Sequence, residues 1–303
     1  GIASAFAALD LLDAQGVELG RPLAVVAFVE EEGARFGVAC LGSRIAAGLI
    51  ELKTANGLSD AEGITWVEAM ARAGLDPSAI GADRERLAQL KGFVELHIEQ
   101  GRALEPMGAA VGIGTTIWPH GRWRFVFEGE ANHAGTTSME DRRDPMLALA
   151  ETVLEVTQQA RRIGARATFG RLLVEPNAIN AIPSRVTGWL DARAPTEDAL
   201  LEVARSLQSH PGIGVGAQSS TPAVEFDSGL RAQMRETLGP LPQIPTAAGH
   251  DAGILAGIGI PTSMLFVRNR SGVSHSPLEH AEPDDIDRGV EALARTLVHL
   301  GTS

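Results

Sequence analysis

Carboxylate and imidazole side chains follow three apolar runs of the sequence, at the points where the runs end. Glu30, Glu31 and Glu32 follow LAVVAFV, His97 lies in ELHIEQG, and His275 follows SMLFVRNRSGV. Adjacent carboxylates repel each other, and burying them away from water costs free energy. The glutamates therefore either form a solvated turn or surround a positive ion. Glutamate and imidazole are ordinary ligands of divalent metals. The segments are far apart in sequence, so spacing alone favours a solvated acidic run and structural histidines over a metal site.

Four other motifs carry polar residues that could do chemistry. His133 lies in the Gly/Thr-rich stretch GEANHAGTTSM, and Asn180 lies between prolines in PNAINAIP, a pattern typical of turns. Arg193 follows a strand-like run and could pair with Asp191 or with another surface acid. Asp251, in AAGHDAG, precedes an apolar helical pattern and would be an ordinary N-cap. Each motif, taken alone, indicates local structure before it indicates catalysis.

The elements that must position these residues alternate as in an α/β layer. GIASAFAALDLLDAQG predicts a helix, and ITWVEAMARAG predicts a second one that starts with a capping box of Thr65 and Glu68. The continuous apolar run LAVVAFV predicts a buried strand, and GFVELHIEQG and SMLFV predict two more. In open α/β sheets ligands bind just beyond strand ends, which is where the candidate residues fall.

A different pattern begins near residue 115. WRFVFEGEA, ATFGRLLVE and SRVTGWLDARA predict strands, of which the first alternates as a half-buried strand does, and DPMLALAETVLEVTQQARRIG and EDALLEVARSLQSHPG predict helices. Such a set suits a small sheet with helices on one face. We therefore predict an α/β domain of residues 1–114 and 223–303, interrupted by a smaller α+β domain of residues 115–222.

The composition limits the classes of protein to consider. The chain has 303 residues, of which 44% are hydrophobic and 21% charged, as in ordinary globular domains. A formal net charge of −12 argues against nucleic acid or an anionic membrane as a partner. Cys40 is the single cysteine, so no internal disulfide can form, and we expect a buried inert thiol and a cytoplasmic protein.

Several segments together, in their order, resemble one family: VEEEGARFG, ELHIEQG, GEANHAGTTSMEDRRDP, PNAINAIPSRV, LDAR, AAGHDAG and GVSHSPLEH. The chain is similar, over nearly its whole length, to M20-type metallohydrolases of the allantoate amidohydrolase and N-carbamoyl-L-amino-acid hydrolase group. The resemblance implies a mixed-sheet catalytic domain with helices on both faces and an inserted lid domain that mediates homodimerisation. It also implies two divalent metal ions, with Mn²⁺ expected first and Zn²⁺, Co²⁺ or Ni²⁺ as alternatives.

The same resemblance implies a role for each matched residue. Glu31 resembles the general base and Glu32 a metal ligand, with His97 and His275 as further ligands. His133, from its own subunit or from the partner's lid, would stabilise the oxyanion. The residues expected to bind the substrate are Gln100, Asn180, Arg193 and Gly249.

The family carries a His and a metal-bridging Asp shortly before the position at which this sequence starts. The resemblance therefore implies a chain that lacks two of five metal ligands, and we expect such a chain to bind metal poorly and to be nearly inactive.

The expected function is hydrolysis of a ureido carbon–nitrogen bond in a small substrate that carries a carboxylate. The stretches TTIWPHGRWRF and ATFGRLLVEPNAINAIPSRV favour allantoate, and N-carbamoyl-L-amino acids are the alternative. A catalytically impaired protein that only binds or dimerises is a third hypothesis. Aminopeptidase activity is disfavoured, because Asn180 and Arg193 suit a carboxylate beside the scissile bond.

Overall fold

The computed structural model describes residues 1–209 and 213–302, and the chain forms two compact units. The first unit comprises Gly1–Ile117 and Val224–Ser303, and the second comprises Trp118–Ala223. Their assignment as a catalytic domain and a lid domain stays a prediction.

Within the described residues, the α-helices are α1 (Ile2–Ala14), α2 (Leu41–Ala46), α3 (Leu52–Asn56), α4 (Trp66–Arg72), α5 (Arg84–Leu87), α6 (Pro145–Arg162), α7 (Glu197–Ser206), α8 (Ser228–Leu238), α9 (Asp251–Gly257) and α10 (Pro283–Thr302). The strands are β1 (Phe93–Ile98), β2 (Val111–Ile117), β3 (His120–Glu128), β4 (Asn132–His133), β5 (Arg166–Glu175), β6 (Ala181–Ile182), β7 (Arg185–Arg193), β8 (Ile213–Thr221), β9 (Val224–Glu225), β10 (Gln243–Thr246) and β11 (Thr262–Val267). None of the described helices is both long and apolar enough to cross a membrane.

The sheet of the first unit is mixed, in the order β1-β11-β2-β10, with β9 beside β2. β1 runs parallel to β11, whereas β11 and β2 are antiparallel. Successive residues of β11 face opposite sides: Leu265 packs in a core with α1, α8 and α10, and Met264 packs in a second core with α9. Helices thus cover both faces of the sheet, and the predicted α/β class with a mixed sheet is confirmed.

The second unit is an antiparallel sheet in the order β5-β7-β3-β8, with α6 and α7 packed on one face. Strand β3 alternates strictly: Trp123 and Phe125 are buried against the helices, whereas Arg122 and Arg124 are exposed on the opposite face. The predicted half-buried strand therefore belongs to the sheet layer, and the predicted helices α6 and α7 form a second layer on it. Helix α7 ends at Ser206, and residues 210–212 of the segment predicted as helical lie outside the described residues.

The prediction of a buried strand for LAVVAFV is wrong. Residues 23–29 adopt no regular secondary structure, and Val26 and Val29 are exposed. The segment lines one wall of a cavity of about 880 Å³, and Phe93–His97 of β1 lie on another. Among the described residues, β1 pairs only with β11, and the backbone of residues 23–28 forms no hydrogen bond. An apolar run becomes a strand only when a neighbouring strand accepts its backbone hydrogen bonds, and here none does.

The predicted helix starts agree with the structure where local signals are strong. Thr65 accepts a hydrogen bond from the backbone of Glu68, and the Glu68 carboxylate accepts one from the backbone of Thr65, which completes the predicted capping box of α4. Helix α1 covers the first predicted helical segment.

Candidate metal and substrate site

The three consecutive glutamates have three different environments. Oε1 of Glu30 accepts backbone hydrogen bonds from Arg35, at 2.7 Å, and from Phe36, at 2.8 Å. Glu30 therefore organises the turn that follows. Gly33 in that turn has φ +67°, and a Cβ there would lie 2.5 Å from the backbone nitrogen of Ala39, so the turn requires glycine.

Glu31 is a half-buried carboxyl group. Burial raises its pKa to about 7, and the neighbouring carboxylates of Glu32 and Asp251 act in the same direction. The imidazole of His275 opposes them. A carboxyl group in such surroundings can both accept and release a proton near neutral pH.

Glu32 and His275, which are 243 positions apart, are in contact: Oε2 of Glu32 lies 3.2 Å from Nε2 of His275. His275 has φ +54°, and Glu30, two residues before Glu32, has φ +58°; these are left-handed values that cost a non-glycine residue free energy. Glu279 fixes the loop that carries His275, because its Oε2 accepts the backbone N–H of His275 at 3.1 Å. The strained backbone on both sides of this contact is typical of functional sites.

Gln100 lies beside the same loop. Its Nε2 donates to Oγ of Ser274 at 3.1 Å and lies 3.4 Å from Nε2 of His275. Glu99 next to it is buried and accepts backbone hydrogen bonds from Ala103 and Leu104, so it is structural.

His97 stands near the end of β1 with a defined tautomer. Its Nδ1 lies 2.7 Å from the carbonyl oxygen of Ile98, so a neutral ring carries its proton on Nδ1 and keeps a lone pair on Nε2. Burial lowers the pKa of His97, although the carboxylates of Glu279 and Glu32 act to raise it. Burial thus favours the neutral form that ligates metals, and a backbone carbonyl as second partner is the usual arrangement for such a ligand.

A largely buried polar pair, His250 and Glu95, lies next to His97; sequence reasoning placed His250 only at a helix start and missed Glu95. His250 is 2% exposed, its ring lies 4.7 Å from that of His97, and neither of its nitrogens has a hydrogen-bond partner among the described residues. Burial lowers the pKa of His250 to about 3, so its ring is neutral. Glu95 is 3.6 Å from His250 Nδ1, and burial raises the pKa of Glu95 to about 7. The alternation of a strand could have identified Glu95, because it lies two residues before His97 and therefore on the same face of β1.

The prediction that Asp251 is the N-cap of a helix is wrong. The N-cap of α9 is His250, and Asp251 is the first helical residue. The carboxylate of Asp251 instead accepts a hydrogen bond from Oγ of Ser43 at 2.5 Å, 208 positions away. Cys40 is buried nearby, and burial raises the pKa of its thiol well above the usual range, in agreement with an inert thiol. Gly249, just before α9, is exposed, and a Cβ there would meet no atom within 4 Å.

The donor types in this unit fit a divalent metal, although no complete centre is formed. In residues 1–209 and 213–302, no group of three or more His, Cys, Asp or Glu side chains is arranged to hold an ion. Glu32 and His275 are in contact, and His97 lies near enough for Glu32 to influence its pKa. A carboxylate and two imidazoles are a donor set that manganese, zinc, cobalt and nickel all accept.

Two of the three candidates in the second unit lie together. His133 on β4 pairs with Ala181 on β6, and the backbone N–H of Ala134 donates to the carbonyl oxygen of Asn180 at 3.0 Å. Nδ1 of His133 accepts the N–H of Gly135 at 3.0 Å. The neutral ring must then carry its proton on Nε2, which makes the outer edge of His133 a hydrogen-bond donor.

Arg193 lies at the other end of the same unit. It ends β7, and its Nε donates to Asp191 at 3.1 Å, which is the pairing that the sequence left open. Asn180 precedes the start of β7 at Arg185, and the nine residues of β7 span roughly 26 Å. Asn180 therefore precedes one end of β7, and Arg193 lies at the other end.

Comparison with known proteins gives one consistent result. Residues 1–299 match the family described as Peptidase family M20/M25/M40. The chain is 37% identical to the N-carbamoyl-L-amino acid amidohydrolase of Geobacillus stearothermophilus and 33% identical to the allantoate amidohydrolase of Escherichia coli. Both alignments cover 99% of this chain and 76% of the relative.

The fold has the same relatives. The crystal structure of an amidase of the hydantoinase/carbamoylase family from Burkholderia multivorans superposes with a TM-score of 0.84 at 28% identity. The superposition covers 100% of this chain and 76% of that one.

Proposed function

This chain belongs to Peptidase family M20/M25/M40, and we propose that it hydrolyses a ureido carbon–nitrogen bond in a small substrate that bears a carboxylate. The observation that carries the proposal is the contact between Glu32 and His275, with Glu31 half-buried next to it. A proton acceptor beside metal-ligating groups is what hydrolysis of an unreactive carbonyl requires. Both curated relatives described above are amidohydrolases.

Glu32, His97 and His275 would hold divalent metal, with Mn²⁺ as the proposed ion. When bound, the metal supplies positive charge that lowers the pKa of water and polarises the carbonyl. Burial of His97 keeps that ring neutral and able to ligate. We place the enzyme in the cytoplasm, a compartment that suits the unpaired Cys40.

Glu31 is the proposed general base. It takes a proton from the attacking water as the oxygen bonds to the ureido carbon, and it returns the proton to the nitrogen as the carbon–nitrogen bond breaks. The products are ammonia and a carbamate, which decomposes to carbon dioxide and an amine.

The second unit supplies three of the five proposed substrate contacts, and Gln100 and Gly249 belong to the first unit. His133 presents an N–H at Nε2 that suits the negative charge developing on the carbonyl oxygen. Arg193 is the proposed partner of the substrate carboxylate, which a guanidinium holds through two parallel hydrogen bonds. Gln100, Asn180 and Gly249 complete the proposed contacts.

There are two candidate substrates. Allantoate is the first candidate, on the stretches TTIWPHGRWRF and ATFGRLLVEPNAINAIPSRV. N-carbamoyl-L-amino acids are the second, and the higher identity to the N-carbamoyl-L-amino acid amidohydrolase favours them.

Product release by the full-length protein with Mn²⁺ tests this proposal, measured as ammonia from ureido substrates and as free amino acids from dipeptides. The substrates are allantoate, a panel of N-carbamoyl-L-amino acids and a panel of dipeptides. We expect turnover of at least one ureido acid and none of the dipeptides. Dipeptide hydrolysis without ureido hydrolysis would replace the proposal with an aminopeptidase.

We also propose that the enzyme is a homodimer joined through the unit Trp118–Ala223. The support is the roughly 26 Å of β7 between the Asn180 end and Arg193. If all three candidates of this unit contact substrate, then His133 and Asn180 serve one site and Arg193 serves another. The simplest assembly that supplies the other site is a two-fold symmetric dimer, in which a second copy of the chain provides it.

Mixing two impaired variants, assayed at substrate concentrations far below KM, tests the shared site. Arg193→Ala and His133→Ala chains are expected to regain about a quarter of wild-type activity when unfolded and refolded together, because half of a random mixture is heterodimer and one of its two sites is intact. Each variant refolded alone is the control. No regain of activity in a mixture shown by mass to contain heterodimers would place both residues in the same site of one chain.

A further inference from the structure

One face of the second unit's sheet is unusually rich in arginine. Residues directly opposite each other on neighbouring strands share a face, and so do alternate residues of a strand. The face that carries Arg122 and Arg124 on β3 is the one not covered by α6 and α7. Its arginines are Arg122, Arg124, Arg166, Arg171, Arg185 and Arg193, and its carboxylates are Glu128, Glu175 and Asp191.

The positive charge is unevenly distributed along this face. At one end, Arg185 lies between Glu128, at 3.0 Å, and Glu175, at 4.0 Å. Toward the other end Asp191 is the only carboxylate among the described residues of this face, and Arg122 and Arg193 share it at 3.1 Å each. The charge of the face therefore rises along β7 from Arg185 toward Arg193.

In the half of this face between Trp189 and Arg193, or on strands opposite it, three arginines have no carboxylate partner among the described residues. Arg171 stacks over Trp189 at 4.4 Å, and Arg166 stacks over Trp118 at 4.8 Å. Arg124 lies opposite Trp189 on β3, so Trp189 has an arginine on each side. Stacking on an indole fixes a guanidinium without neutralising it.

The chain as a whole has the opposite charge. Its formal net charge of −12 repels an anion at long range, so an anion approaches most readily where the local sign is reversed. The row of Arg124, Trp189 and Arg171 lies four residues of β7, or roughly 13 Å, from Arg193. The distance exceeds the Debye length of roughly 8 Å at physiological salt but lies within the roughly 30 Å at 0.01 M, so the charges act together at low ionic strength.

We propose that this face is a capture surface, defined by Arg122, Arg124, Arg166 and Arg171, that concentrates carboxylate-bearing substrate next to Arg193. The occupant is a small carboxylate anion held loosely, because the four arginines are exposed. The surface acts before the chemical step. It rests on the proposed function for the identity of the anion, but not for its charge.

The test compares two charge-matched double variants. Arg124→Gln with Arg171→Gln removes two charges from the capture surface, and Arg161→Gln with Arg205→Gln removes two from α6 and α7 on the opposite side. We expect the first pair to raise KM for a ureido acid about three- to tenfold at low salt, with kcat unchanged, as for partial loss of an electrostatic field. The difference should vanish near 0.3 M salt, roughly twice physiological ionic strength. The carboxamide analogue of the substrate should show no change in KM.

A third variant separates charge from folding. Arg124→Lys with Arg171→Lys keeps the charge and loses the stacked guanidinium, so its KM should stay within about twofold of wild type. The surface is refuted if the glutamine pair leaves KM unchanged, if its effect persists at high salt, or if the helix pair raises KM equally.

A readout without turnover distinguishes this proposal from the proposed function. The arginine Nε–H signals of ¹⁵N-labelled protein are titrated with N-carbamoylglycine and with N-carbamoylglycinamide at low salt. We expect the signals assigned through the variants to Arg124 and Arg171 to shift with the acid and not with the amide. Shifts without ureido hydrolysis would retain the surface and refute the proposed function, whereas hydrolysis without shifts would do the reverse.

Discussion

Glu31→Gln is expected to lower kcat by about a thousandfold or more while bound metal is retained, because a neutral amide cannot take a proton from water. The side chain keeps its size and its half-buried place, so substrate binding and KM should change little. The measurement is steady-state kinetics on the full-length enzyme, together with metal content by mass spectrometry.

Glu30→Gln is the matched control for this prediction. It removes the same charge one residue away, and its amide oxygen can still accept the backbone hydrogen bonds of Arg35 and Phe36. We expect this variant to keep kcat within severalfold of wild type. A Glu31→Gln enzyme as fast as wild type would remove Glu31 from the role of base.

Arg193→Ala is expected to lower kcat/KM about a hundred- to a thousandfold for substrates with a carboxylate, because the anion loses a charged two-point partner. Most of the loss should appear in KM. The carboxylate-free ureide separates this effect from general damage, since its kcat/KM should fall far less.

Arg193→Lys provides the control for charge. Lysine keeps the positive charge but cannot form two parallel hydrogen bonds, so its kcat/KM should lie between those of alanine and wild type. Equal losses on the acid and on the carboxylate-free ureide would argue against a carboxylate clamp.

The sequence correctly predicted those helices and strands whose formation depends on residues close together in the chain. The capping box at Thr65 and the alternation of WRFVFEGEA appear in the structure as predicted. LAVVAFV has the composition of a strand, but strand formation depends on a neighbour that its own residues do not specify. Strands β2 and β8 were not predicted, because glycines in VGIGTTI and IGVGAQSST weaken both the apolar run and the alternation.

The candidate site was harder to predict than the fold. Sequence reasoning treated Glu30, Glu31 and Glu32 as one acidic run. In the structure Glu30 bonds to the turn that follows it, whereas Glu31 and Glu32 lie near distant segments. The contact of Glu32 with His275 spans 243 positions, and no local spacing rule encodes it. Their association was predictable only from the ordered set of motifs that resembles a family.

The buried pair of Glu95 and His250 shows the same limit. Each residue has an ordinary local explanation, in a strand and before a helix, and only packing places one beside the other. His250 is nevertheless unusual, because both of its buried nitrogens lack a hydrogen-bond partner among the described residues.

The central claim is that Glu32, His97 and His275 hold divalent metal, and calorimetric titration of the metal-free, full-length protein with Mn²⁺ tests it most directly. The comparison is between His275→Ala and His280→Ala, an exposed histidine beside Glu282. We predict that His275→Ala weakens Mn²⁺ binding about a hundredfold or more, because losing even an outer partner of a ligand costs about ten- to a hundredfold. His280→Ala should bind as wild type does. Unchanged affinity and stoichiometry in His275→Ala would contradict the account.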